Sequence, residues 1–160
     1  MNKILLSTLL PIFLLSTTAC EFKPYSTLPN LDTTDILEGT DADENGIRDD
    51  VDSYIRSTYP DNLARQAISQ YAKTLQATFF VDNTDNLAIA ELHRAQTRAK
   101  LCVNKRVANQ QAVNPDNTTI IKVITNATFN TSQRQRHYNN FTNTLSQGEP
   151  SVGDSNVCND

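Results

Sequence analysis

Asp41, Asp43 and Asn45 alternate along the chain, Gly46 follows at once, and Asp49 and Asp52 come at the next two intervals of three. In a loop coiled around an ion, alternating side chains converge on it, and a glycine permits a turn that a Cβ would resist. Hard cations such as Ca²⁺ are satisfied by several oxygens at flexible geometry. Asp41, Asp43 and Asn45 offer side-chain oxygens and Ile47 its backbone carbonyl. Asp49 reaches an ion directly or through water, and Asp52 is the closing carboxylate. The pattern D-x-D-x-N-G-x-x-D-x-x-D over 41–52 therefore predicts a calcium-binding loop. Two other readings stand beside a structural site: a regulatory sensor, and an acidic turn whose Asp49, Asp50 and Asp52 simply favour the positive end of a helix.

Elsewhere the chain offers little chemistry. His93 and His137 are the two histidines, on different predicted helices, and neither has Cys, Asp or Glu at ligand or triad spacing. There is no nucleophile elbow, no paired-histidine zinc motif and no phosphate-binding glycine loop. The basic stretch Arg94, Arg98, Lys105 and Arg106 reads as a solvated face, as does the cluster Arg134, Arg136, His137 and Tyr138. The expectation is a protein that is not an enzyme.

The elements that must position the loop follow from apolar periodicity. Ile47, Val51, Tyr54 and Ile55 share a face up to Tyr59-Pro60. After a cap at Asp61 or Asn62, Leu63, Ala67, Tyr71, Leu75 and Phe79 recur every fourth residue, broadened by Ala64, Ile68 and Ala72. A third helix starts at Asn83 or Thr84 and turns Leu87, Ala88, Leu92, Ala95, Ala99, Cys102 and Val103 inward. A connector, 112–117, leads to Ile120, Ile121, Val123, Ile124 and Ala127, whose β-branched run suits a strand as well as a helix. Helix is favoured there because no partner strand is evident. A cap at Asn130-Thr131 opens a last helix with Arg134, Tyr138, Phe141 and Leu145 as its stripe, stopped by Gly148 and Pro150. The predicted fold is all-α: a small bundle of four or five helices over 47–148, preceded by the calcium loop and an extended tether, with a polar tail over 149–160.

The ends place this domain. Lys3, an apolar run from Ile4 to Leu15, and small residues up to Ala19 make 1–19 an export signal, its run too short to span a bilayer. Thr17-Thr18-Ala19-Cys20 resembles the lipobox of bacterial lipoproteins, with Thr17 where that family usually has Leu. The resemblance implies a lipidated Cys20, a membrane anchor at the head of a tether over 20–40, and, with Glu21 rather than Asp next, sorting to the outer membrane, facing the periplasm or the surface. With three cysteines in the chain, lipidation of Cys20 leaves Cys102 and Cys158 as one pair in an oxidising compartment, and a disulfide between them is expected over two unrelated thiols. The net charge of −4 and the absence of a basic run argue against a nucleic-acid partner.

The loop itself resembles that of thrombospondin type 3 repeats more than a typical EF-hand, because Ile47 directly follows the glycine and Asp52, not Glu, closes it. It also resembles single loops that open helical domains in exported bacterial proteins, where N-G-I-R-D-D-V runs straight into a helix. Outside the cell Ca²⁺ is plentiful and one unpaired loop suits a structural site better than a sensor. The functional expectation is an exported calcium-binding lipoprotein acting as a non-catalytic protein-binding module in the envelope, one version being a periplasmic immunity protein. The alternative is a structural envelope lipoprotein with no dedicated partner.

Overall fold

The computed structural model describes residues 28, 30–107, 117–145, 152–153 and 156–158. Helices α1 (Asp49–Thr58), α2 (Asn62–Gln76), α3 (Asn86–Val107), α4 (Asn117–Thr128) and α5 (Ser132–Thr144) account for most of them, and a 3₁₀ turn, Ala77–Phe79, extends α2. No strand occurs among the described residues, so the fold is an all-α bundle. The segment around 118–128 is helix throughout. Its branched residues pay a small rotamer cost there, which burial of Ile120, Val123, Ile124 and Ala127 outweighs at roughly 1.5–3 kcal/mol for each large side chain. The export signal, Cys20 and the first part of the tether lie outside the described residues, as do Gly148 and Pro150.

Helix α2 is the centre of the bundle, packing on α1, α3 and α4. Its Ala64, Ala67, Ile68, Tyr71, Ala72 and Leu75 are all buried, and small alanines let the neighbouring helices come close. The Tyr71 hydroxyl pairs with Thr125 Oγ1 at 2.9 Å, so the phenol enters the core without an orphaned polar atom. Asp61 caps α2, its carboxylate accepting from the Ala64 amide at 2.7 Å. Thr131 does the same for α5, its hydroxyl accepting from the Arg134 amide at 3.2 Å.

Three local expectations need correction. Leu63 is exposed, so the buried stripe of α2 begins at Ala64. Helix α3 is capped by Asp85, which accepts from the Leu87 and Ala88 amides at 2.9 and 3.0 Å, not by Asn83 or Thr84. Its first turns are also rotated from the expected phase: Leu87 is 65% exposed, while Ile89 and Gln96 face inward. A glutamine takes a core position because its Nε2 donates to the Thr74 carbonyl at 3.2 Å.

The tail joins the core. The Cys102 and Cys158 sulfurs are at bonding distance, 2.05 Å, with their Cα atoms 5.0 Å apart. Val157 is buried beside them, and its carbonyl accepts from Gln70 Nε2 at 2.9 Å.

Candidate metal centre

The loop is closed at its base by the Asp49 amide, which donates to the Thr40 carbonyl at 2.8 Å as α1 begins. Within it, Asp41 organises the backbone: its two carboxylate oxygens accept from the Asn45 amide at 3.1 Å and the Gly46 amide at 2.8 Å. Glu44 and Gly46 both take left-handed backbone, φ 54° and 85°. At Gly46 a Cβ would also lie 2.8 Å from Lys73 Cε, so α2 presses against the turn. Asp49 Oδ1 accepts from the Ala42 amide at 3.1 Å and ties the far side of the loop to the helix.

The result is a convergence of Asp41, Asp43 and Asp49, whose ligand oxygens all lie within 4.8 Å of one another. This acidic group could hold a metal ion. Among the described residues no other set of three His, Cys, Asp or Glu ligand atoms comes so close together. Asn45 sits at its edge, with Oδ1 accepting from the Ile47 amide at 2.8 Å. Its Nδ2 donates to Asp43 and to Asp52, both at 3.0 Å. That amide links two carboxylates that would otherwise repel, which is the service a cation performs with more charge. Asp52 stands apart from the three-carboxylate group. It is buried, and its Oδ2 binds Arg56 one turn on at 2.5 Å. Ile47 contributes a buried side chain that seats the loop on the core.

The loop positions between the candidate ligands carry a second function that the ligand pattern did not reveal. Arg48 is 1% exposed, and its Nη1 and Nη2 donate to the Thr128 and Ala127 carbonyls at 3.0 and 2.8 Å. Those are the last carbonyls of α4, where a cation is favoured by the helix dipole. Its charge is balanced by Asp50 at 2.6 Å, whose Oδ2 in turn accepts from the Asp32 amide at 2.6 Å. Arg134, expected on a solvated face, is instead fully buried. It donates to the carbonyls of Asp32, Ile36 and Leu37 at 2.5, 2.8 and 2.9 Å, and meets the Asp32 carboxylate at 3.2 Å. Gln76 Nε2 adds the Glu38 carbonyl at 2.7 Å.

Residues 31–39 are therefore bound to the domain, although they form no helix or strand. Burial pushes the Asp32 carboxyl upward, but bonds from Thr34 and the Arg134 guanidinium outweigh it and hold the group below its ordinary value. Burial and the nearby Arg48 lower the Arg134 value, while Asp32 and Asp50 oppose that shift. Gly39 completes the arrangement at φ 71°, where a Cβ would collide with Arg48 Cδ and lie 2.9 Å from Asp32 Oδ2. The signal that could have found this network is the pair Gly39 and Arg48, a glycine outside the ligand pattern and a cation inside an acidic loop.

No described helix is long and apolar enough to cross a membrane. No protein-family model matches the chain, and no curated protein or solved structure is significantly similar to it.

Proposed function

We propose that the chain is an exported calcium-binding lipoprotein whose helical domain serves as a non-catalytic protein-binding module in the cell envelope. The observation that carries the calcium reading is the convergence of Asp41, Asp43 and Asp49 at the seam between the bound N-terminal segment and α1. Ca²⁺ suits these ligands because it accepts many oxygens in flexible geometry, whereas Mg²⁺ demands a compact octahedron. Asn45 and the Ile47 carbonyl would add oxygens to the set, and Asp52 would join it on exchanging its bond to Arg56 for the ion. Bound there, the ion supplies positive charge to carboxylates held close together and fixes the start of α1. The site is then a lock between leader and domain, with affinity of about 10⁻⁴ to 10⁻³ M, as in extracellular modules.

Calorimetric titration with Ca²⁺ tests this directly. Wild type binds one ion, and Asp41→Ala with Asp43→Ala abolishes the heat. Unchanged binding in that double variant removes the assignment.

The anchoring reading rests on Thr17-Thr18-Ala19-Cys20, and metabolic labelling with a radioactive fatty acid tests it: label is incorporated by wild type and lost in Cys20→Ser. The protein-binding reading rests on an acidic exported domain of modest size with no catalytic constellation in its sequence, features that also suit a periplasmic immunity protein. A pull-down from membranes with and without chelator tests it through one stoichiometric partner. The second reading, a structural envelope lipoprotein, is favoured by how many loop bonds, those of Arg48 and Asp50, serve internal cohesion. Capture of no partner, together with general envelope defects on deletion, supports that second reading.

A further inference from the structure

Beside the metal loop lies an open groove of about 640 Å³ between α1 and α3, floored by α2. Its floor carries Gln66, Ser69, Gln70 and Lys73, spaced so that they share one face of the helix. The stripe runs roughly two turns, or about 11 Å, which matches about three residues of extended chain. Arg56 stands on the α1 wall and Arg98 on the α3 wall. Three cations thus face one groove on a chain whose net charge is −4. The groove's one carboxylate, Asp52, is already bonded to Arg56. Among the described residues Lys73 and Arg98, both exposed, form no ion pair.

From this charge imbalance we infer that the groove is the docking site for an extended acidic segment of a partner protein. The inference rests on the protein-binding reading and names the surface it would use. Lys73 and Arg98 stand on different helices around an open trough while Arg56 is held by Asp52, so a single small anion meets one unpaired cation, whereas a chain with repeated carboxylates meets both. On the floor, the exposed Gln66 amide can bond the peptide backbone between its acidic residues, while Gln70 is held by the Val157 carbonyl. Asn45 and Asp52 belong to both the metal loop and the groove wall, so metal at the loop and peptide in the groove share a boundary.

The test is fluorescence anisotropy of a labelled hexaglutamate peptide with the full-length chain at low ionic strength, where surface charges are least screened. Hexaglutamate binds and hexalysine does not. Lys73→Glu with Arg98→Glu weakens binding by roughly tenfold or more, the loss expected for two exposed pairs turned repulsive. Lys122→Glu, on exposed α4 surface outside the groove, leaves binding within about twofold, and circular dichroism confirms that all variants fold. Equal weakening by Lys122→Glu reduces the effect to net charge and overturns the proposal. Competition by free glutarate at the peptide's own concentration overturns it too, in favour of a small-carboxylate site. If the membrane pull-down recovers the same partner with wild type and with the double variant, the groove is refuted while the protein-binding reading stands. If wild type recovers no partner yet hexaglutamate binds with the predicted variant pattern, the groove stands and the reading of a dedicated partner fails.

Discussion

Arg134 and Arg48 show what one guanidinium can do that a lysine cannot. Each spreads several N–H donors in a plane, and each is directed at backbone carbonyls outside its own helix: those of Asp32, Ile36 and Leu37, and those at the end of α4. Arg134→Ala removes the side-chain donors to the Ile36 and Leu37 carbonyls, leaves Asn130 as the donor to the Asp32 carbonyl, and takes the guanidinium from the Asp32 carboxylate. It should cost about 3–5 kcal/mol in urea denaturation, with Arg134→Lys recovering only a minor part. Gly39→Ala should destabilise by at least about 1 kcal/mol, because its φ of 71° and its contact with Arg48 both resist a Cβ. Asp32 adds a pH dependence. Its folded value lies below the ordinary 3.8, so its contribution is complete above that value and is lost as pH falls beneath it. Thermal melts of wild type and Asp32→Asn should differ at neutral pH and converge in acid; a gap that persists at the lowest pH would refute the assignment.

At the scale of elements, the order and type of the helices were legible because α2 repeats its apolar residues with little interruption and Asp61 and Thr131 stand at open caps. Phase was harder. On α3, Leu87 counts as core by type, yet the helix turns Ile89 and Gln96 inward, and Gln96 Nε2 donates to the Thr74 carbonyl there. Leu87→Gln should therefore change stability by no more than about 0.5 kcal/mol, whereas Gln96→Ala should cost about 1–2 kcal/mol. Asp85→Ala should cost about 1 kcal/mol through the lost cap, measured in the same denaturation series. The metal loop divides in the same way. The convergence of Asp41, Asp43 and Asp49 could be read from their spacing, because it needs only the local turn. Spacing could not reveal that Arg48 and Asp50 face inward, because their partners come from 80 residues downstream and from the leader. Nor does ligand register show the bond of Asp52 to Arg56, which arises only once α1 has formed.

For the whole molecule, closure comes from its ends. The cysteine pair spans 56 residues, so its loss should cost about 4 kcal/mol in the chain-entropy model and free Val157 from the core. Cys102→Ser with Cys158→Ser should lower the melting temperature, which differential scanning calorimetry would check. At the other end, the leader meets Arg134 and Asp50 before the chain reaches α1. Tension applied at the N-terminal side is thus borne first by side chains of α5 and the loop, not by the backbone of the first helix. The clasp is a load path: pulling there should break the arginine bonds in an early step, with the five helices still packed and the groove intact.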